Sequence, residues 1–258
     1  AWGRVKTKAP VFTYGFSEGA DVKIHSPEYR FVEKSGRKVP VGMSLKLEHG
    51  KNIVPFRLDG VLGTQSGAYV AAAACATGLA LDLNMVEASS ALQKYAHPKG
   101  RLMLLDGIRD SLILDDTYNA SPSSAEAALH ALSELPGERK IAALGDMLEL
   151  GEYSEEAHRE IGKAAAQACD ILILVGARMR FAADEAVAHG FAEGENLFSF
   201  DTAEEAGRLL LKTLKDGDLV LLKGSQGMRM EKAVKEIMAH PEKAEEFLVR
   251  QEDSWLKV

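Results

Sequence analysis

Leu112-Ile113-Leu114-Asp115-Asp116-Thr117-Tyr118-Asn119-Ala120-Ser121-Pro122-Ser123 is the stretch from which the fold is read. Three consecutive aliphatic residues with no polar alternation suit a strand buried on both faces, the habit of parallel sheets. Ser121 followed by Pro122 is a normal helix start, because a serine hydroxyl accepts from a free backbone N–H and proline is pre-set for the first helical position. Ser123 with Glu126 would make an equally good capping box, and the helix is read over residues 123–135. Strand, polar turn and helix thus follow within some twenty residues.

The same unit recurs downstream. Strands are expected at 112–114, 140–144, 171–175, 197–200 and 219–222, with helices at 123–135, 154–168, 178–189, 203–214 and 228–238. That alternation is the mark of a parallel sheet with crossover helices, so the fold class is α/β: an open, doubly wound, Rossmann-like domain. The charged tail, residues 241–258, carries Trp255, which is expected to pack back on the body.

Upstream the pattern differs. Residues 11–59 alternate as strands do and are punctuated by Gly15, Gly19, Pro27, Gly36, Gly50 and Pro55, which suits antiparallel strands joined by turns. Two helices follow, at 65–79 and at 85–95 with Asn84 as N-cap. Pro98-Lys99-Gly100 breaks the chain, so domains are expected at 1–98 and 99–258.

Composition narrows the function. Hydrophobic residues make up 46% and charged residues 27% of the 258, the balance of a globular chain. A net charge of −7 argues against a phosphate-backbone binder, so nucleic acid is not an expected partner. No apolar run reaches the roughly 18 residues that span a bilayer, and Ala1-Trp2-Gly3-Arg4 leads into no signal-like apolar segment. The first residue is not Met, and the chain is expected to be cut from a larger protein. Cys75 and Cys169 read as small buried hydrophobes, compatible with a reducing cytosol.

In doubly wound sheets ligands sit beyond the carboxyl ends of the strands. There this chain places Asp115 to Pro122, then Gly145-Asp146-Met147-Leu148-Glu149-Leu150-Gly151, then Gly176, then Lys223-Gly224-Ser225-Gln226-Gly227. A carboxylate suits ribose hydroxyls, Tyr and Asn suit a base, and Lys suits phosphate or carboxylate, so the set points to a nucleotide. Each also has a plainer reading: a solvated turn acid at Asp116, tight turns at Gly145 and Gly176. Neither G-x-G-x-x-G nor G-x-x-x-x-G-K-[ST] occurs, and Gly162-Lys163-Ala164 lies inside a helical pattern.

Asp115-Asp116-Thr117-Tyr118-Asn119-Ala120-Ser121-Pro122 resembles the D-D-S-Y-N-A-N-P motif of the Mur ligase family, in its D-alanyl-D-alanine-adding branch. Gly145 to Gly151 with His158 is similar to G-D-M-x-E-L-G and its following His, and Lys223-Gly224-Ser225 with Met230-Glu231 is similar to K-G-S-R-x-x-x-M-E. Arg101 stands where the family has the Arg of its P-G-R entry to the last domain. Phe12 to Phe16 with Ala20-Asp21 resembles the middle of the central ATPase domain. The resemblance implies ATP and Mg²⁺, with UDP-N-acetylmuramoyl-tripeptide and D-alanyl-D-alanine as substrates, in a monomeric cytoplasmic enzyme. It places Arg101, Asp116, Tyr118 and Asn119 at ATP, with Gln65 and Tyr69 as substitutes for the family's H-N-x-x-N amides. Lys223, Ser225 and Asp146 would face the dipeptide or an acyl phosphate. The phosphate-binding loop, the Mg²⁺ ligands and the UDP-sugar domain are expected before residue 1, so the chain alone should not ligate. Ser121 and Gln226 depart from the family's Asn and Arg. His158 is expected to be a packing residue, and Asp116→Ala to weaken ATP use with the fold intact. The alternatives are a sibling ligase adding another amino acid, which D-x-Y-N-A disfavours, and a non-catalytic nucleotide-binding module.

Overall fold

The computed structural model describes residues 11–34 and 36–256; the amino-terminal tetrapeptide and the last two residues of the tail lie outside the described residues. The chain divides into two compact units. Of the described residues, one holds 11–32 and 40–96, and the other 33, 34, 36–39 and 97–256.

The first unit is built on a four-stranded sheet of β1 (Tyr14–Gly15), β2 (Val22–Lys34), β3 (Arg37–His49) and β4 (Asn52–Asp59), paired in that order. β3 and β4 run antiparallel, but β1 lies parallel to β2, so the expectation of a purely antiparallel sheet is corrected at this edge. The cause is local: Ala20 N donates to Ser17 O, and Asp21 caps Thr13 through both its backbone and its hydroxyl, turning residues 13–22 back alongside. Met43, Leu45 and Leu47 alternate inward and meet Ala68, Ala71, Ala72 and Cys75 of α1 (Thr64–Ala80), whose small side chains let helix and sheet approach closely. Asn84 and Glu87 form a reciprocal capping box at the start of α2 (Met85–Leu92). That helix is shorter than the sequence reading, because Lys94 and Tyr95 continue it only as turns bonded to Ala91 and Leu92.

The second unit has strands β5 (Met103–Asp106), β6 (Leu112–Asp116), β7 (Arg139–Gly145), β8 (Ile171–Val175), β9 (Leu197–Phe200) and β10 (Asp218–Lys223). They pair in the order β5-β6-β10-β7-β8-β9, all parallel except β5, which is antiparallel to β6. β5 is a four-residue edge strand that the sequence reading lacked. The crossover segments are α3 (Pro122–Glu134), α4 (Ser154–Ala168), α5 (Arg180–Ala188) and α6 (Ala203–Thr213), with α7 (Glu231–Ile237), α8 (Ala244–Phe247) and α9 (Asp253–Leu256) after the last strand.

The two faces of the sheet are separable by residue parity. Ile113, Ile141, Ala143, Ile173, Val175, Val220 and Leu222 form one core with Ala206 and Leu210 of α6 and Ala233, Val234 and Ile237 of α7. Their neighbours Leu114, Ala142, Leu144, Leu172, Leu174 and Leu221 are equally buried and, at period two, point to the other face. α3 packs there on β10 and on α4, which packs in turn on α5. Parity also sorts the polar strand ends: Asp115 falls with Ile113 on the α7 face, whereas Asp116 and Lys223 fall with Leu114 and Leu221 on the α3 face.

Ser121 is the N-cap of α3, with Pro122 in the first helical turn and Ser124 completing the capping box, so the alternative start at Ser123 and Glu126 is not used. α7 begins at Glu231 rather than at 228, because Gln226–Met228 forms a single tight turn and Arg229 then takes a left-handed conformation at φ 52°. At the amino ends of the strands Arg139 grips the buried Asp218 through two nitrogens at 3.0 and 2.6 Å and also donates to Thr213 O.

Candidate functional site

Strand register puts the candidate residues on one line. Asp116 is the cross-strand partner of Lys223, Lys223 of Leu144, and Gly145 of Val175, so β6, β10, β7 and β8 all end at the same rim. The loops beyond them are tied sideways: Ser225 N donates to Asp146 O, Asp146 N to Val175 O, and Gly176 N to Phe200 O. Asp116, Tyr118, Asn119, Asp146, Lys223 and Ser225 are therefore neighbours along one edge. Gln65 and Tyr69 lie on α1 in the other unit, Tyr69 with its ring edge-on to Phe16.

Asp116 is 7% exposed and is no solvated turn acid. Lys223 Nζ donates to its Oδ2 at 2.6 Å and to Asn119 O at 2.9 Å, and Leu102 N donates to its Oδ1 at 3.0 Å. Burial pushes the Asp116 carboxyl above the usual carboxylate range, opposed by the Lys223 ammonium, the Leu102 N–H and the nearby Arg101 guanidinium. Burial likewise lowers Lys223, opposed by Asp116. At 2.6 Å with three cationic or N–H groups converging, the pair is read as ionised. A buried pair of this kind is costly to break from one side, so the expectation that Asp116→Ala leaves the fold intact is revised.

Arg101 stands just beyond, its guanidinium 4.2 Å from the centre of the Tyr118 ring, close enough for a cation–π contact. Tyr118 is 46% exposed and Asn119 is exposed, while the flanking Thr117 and Ala120 are buried. The rim thus displays an aromatic ring, a guanidinium and an amide to solvent, above a buried ion pair.

Asp146 and Ser225 are committed to the loops themselves. Asp146 Oδ1 accepts from Arg178 N at 3.0 Å and from Met179 N at 2.9 Å, and its Oδ2 meets the Arg178 guanidinium at 3.4 Å. Gly176, at φ 107°, makes this possible, since a Cβ there would fall 2.6 Å from the Asp146 carboxyl carbon. Ser225 Oγ accepts from Leu148 N at 2.8 Å and lies 3.4 Å from Ala120 O. His158 is fully buried; its Nε2 accepts from Met147 N at 3.0 Å, which leaves Nδ1 to donate to Ser154 O at 2.6 Å. It pins the Gly145 loop to α4, the packing role expected of it.

Three further groups lie in this region: Asp115 and Glu231, which sit in the quoted motifs without an assigned role, and Arg250, which had no sequence signal. Asp115 is fully buried on the α7 face, with Oδ1 accepting from Thr117 N and Oγ1 and with Oδ2 lacking a hydrogen-bond partner; burial pushes its carboxyl up from 3.8 to about 7. Glu231 and Arg250 are buried and paired at 2.9 Å, and Arg250 also reaches the rim loop. Glu231 pairs in addition with Arg229, whose guanidinium lies over the Trp255 ring, so the tail does fold back on the body. Arg250 lies within the charged tail 241–258, and nothing in its spacing announced it. Among the described residues no group of three or more His, Cys, Asp or Glu side chains is disposed to hold a metal ion, so no step through Mg²⁺ is derived from them.

In a doubly wound sheet the ligand sits beyond the carboxyl ends of the strands, which is where this α/β domain carries its polar rim. Residues 100–226 match the family described as Mur ligase, glutamate ligase domain, and the chain belongs to the Mur ligase family. The particular relatives are UDP-N-acetylmuramoyl-tripeptide--D-alanyl-D-alanine ligases. That of Synechocystis sp. is 32% identical over 197 residues, covering 74% of this chain and 41% of the relative. That of Escherichia coli is 35% identical over 167 residues, covering 64% of this chain and 35% of the relative. The crystal structure of MurF from Acinetobacter baumannii superposes with a TM-score of 0.69 at 27% identity, over 86% of this chain and 46% of that one. The chain thus spans about two fifths of the length of the curated relatives it matches.

Proposed function

We propose that these 258 residues are the carboxy-terminal part of an ATP-dependent ligase that joins D-alanyl-D-alanine to UDP-N-acetylmuramoyl-tripeptide in peptidoglycan precursor synthesis. Residues 1–98 are assigned to the end of the central ATPase domain and 99–258 to the terminal domain. We place the enzyme in the cytoplasm, as a monomer. The tripeptide carboxylate attacks the γ-phosphorus of ATP, releasing ADP and leaving an acyl phosphate. The dipeptide amine then attacks the acyl carbon, phosphate departs with the C–O bond electrons, and the amine gives up a proton as the amide forms. Chemistry of this kind depends on charge stabilisation at the phosphate and on exclusion of water from the acyl phosphate.

The observation that carries the reading is the rim itself. Tyr118 and Asn119 face solvent beside Arg101, next to the Asp116–Lys223 pair, within the residues 100–226 that match the family. In this reading Tyr118 and Asn119 meet the nucleotide base, Arg101 its phosphates, and Asp116 supplies an ionised carboxylate toward a ribose hydroxyl. Lys223 serves by holding Asp116 and the Asn119 carbonyl. Ser225 and Asp146 shape the loops that face the dipeptide and the acyl phosphate.

The complete ligase tests this. Phosphate release from ATP should require UDP-N-acetylmuramoyl-tripeptide and D-alanyl-D-alanine together. Release driven equally by a different amino acid would move the chain to a sibling ligase. Tight binding of NAD or a flavin, with no ATP turnover, would overturn the ligase reading altogether.

A further inference from the structure

Four consecutive backbone carbonyls of the rim loop are turned inward onto buried side chains. Thr117 O accepts from Arg250 Nη2, Tyr118 O from Arg250 Nη1 at 3.1 Å, Asn119 O from Lys223 Nζ at 2.9 Å, and Ala120 O faces Ser225 Oγ at 3.4 Å. With its carbonyls held beneath, the loop has only one way to present Tyr118 and Asn119, which is outward. All four bonds come from outside the loop, one from Lys223 at the end of β10, one from Ser225 just beyond it and two from Arg250, which lies 132 positions from Tyr118.

We infer that Arg250 is a positioning residue for nucleotide binding: through the Thr117 and Tyr118 carbonyls it sets the height and angle of the Tyr118–Asn119 platform. Both Nη atoms of Arg250 are taken up by the Thr117 and Tyr118 carbonyls and Glu231, and its Nε is buried, so Arg250 acts on a ligand at the rim only through the loop. Its planar fork places two N–H groups on adjacent carbonyls while Nη2 also meets Glu231 Oε2 at 2.9 Å, a geometry that a lysine ammonium cannot reproduce. Glu231 is oriented in turn by Arg229 Nε at 2.7 Å, and Arg229 Nη2 donates to Trp255 O at 3.0 Å. The last turn of the chain is thereby connected to the loop that meets the nucleotide. The alternative is that Arg250 only stabilises the domain. Arg139 provides the comparison, because it is a similar buried fork, gripping Asp218 and the Thr213 carbonyl at the far end of the same sheet.

The inference rests on the proposed ligase reading, and the experiment separates the two. In the complete ligase, Arg250→Lys should raise the apparent KM for ATP about tenfold or more and leave the KM for D-alanyl-D-alanine within about twofold, since a misplaced platform weakens one substrate only. Arg139→Lys, which keeps its charge but loses the same kind of fork, should lower Tm and leave both constants unchanged. An unchanged KM for ATP in Arg250→Lys, or an equal rise in Arg139→Lys, would overturn the positioning role. A crystal of the unaltered ligase grown with Mg-ADP gives a readout independent of how the variants fold. Arg250 should keep both carbonyls while Tyr118 and Asn119 contact the nucleotide; contact elsewhere overturns the inference. If the unaltered ligase neither binds nor turns over ATP, the ligase reading fails first and this inference falls with it.

Discussion

Replacing Asp115 by Asn should stabilise the chain, and by an amount that grows with pH. Asp115 Oδ1 accepts from Thr117 N at 3.2 Å and from Thr117 Oγ1 at 2.6 Å, bonds that an Asn oxygen can keep. Oδ2 is buried without a partner, and the nearby Asp116 and Glu231 add negative potential. Burial is the main reason that the carboxyl is pushed up from 3.8 to about 7. A raised folded-state value means that the folded chain holds a proton which the unfolded chain releases above about 4. The associated stability is fully present below that pH, is lost progressively as pH rises, and is gone above about 7. The gap between 3.8 and about 7, at about 1.4 kcal/mol per pH unit, amounts to about 4 kcal/mol. At about 2–4 °C per kcal/mol for a domain of this size, the ceiling is roughly 16 °C in Tm. The assay is the Tm difference between Asp115→Asn and the parent chain from pH 4 to 9. It should be small near pH 4, rise through pH 5 and 6, and level off above 7. A difference that does not change with pH would refute the reasoning, because it would mean that Asp115 does not titrate in that window.

Three further outcomes follow from particular contacts. Gly162 of α4 faces the Ala182 backbone of α5, where a Cβ would fall 2.4 Å from its carbonyl oxygen; Gly162→Ala should cost about 1–3 kcal/mol in denaturant unfolding, and a neutral result would mean that the two helices part freely. Asp116→Ala strands the buried Lys223 ammonium and should cost about 3–5 kcal/mol, whereas Asp116→Ala with Lys223→Met should recover most of it; equal instability of the single and double variants would refute the ion-pair account. His158→Ala removes the acceptor of Met147 N–H and leaves a cavity beneath the Gly145 loop, so a loss of about 2–4 kcal/mol is expected, checked by chemical denaturation.

The parallel strands were legible because apolar runs such as Ile171 to Val175 are buried on both faces and cannot be mistaken for amphipathic helix. The β5 edge strand was not. Met103 to Asp106 is short, is covered only on one side by β6, and follows a left-handed Leu102 that no propensity foretells. β1 lay within the strand-like stretch 11–59, but its parallel pairing with β2 did not show, since that depends on the Asp21 side chain bonded to Thr13.

At the rim the sequence named the turns, and strand parity explains why Asp116 and Lys223 meet while Asp115 does not join them. Composition could not say which polar side chains face solvent and which are spent on backbone. Asp146 and Ser225 belong to the second kind, as their bonds to Arg178, Met179 and Leu148 show. Arg250 was invisible because its partners, the Thr117 and Tyr118 carbonyls, have no sequence signature.

Hydrogen–deuterium exchange on the complete ligase, with and without Mg-ADP, tests the central claim most directly. The account predicts added protection in the peptides carrying Arg101 and residues 116–121, with little change at the Arg139 and Asp218 end of the sheet. Protection confined to other surfaces, with the 116–121 loop exchanging as it does without nucleotide, would contradict it.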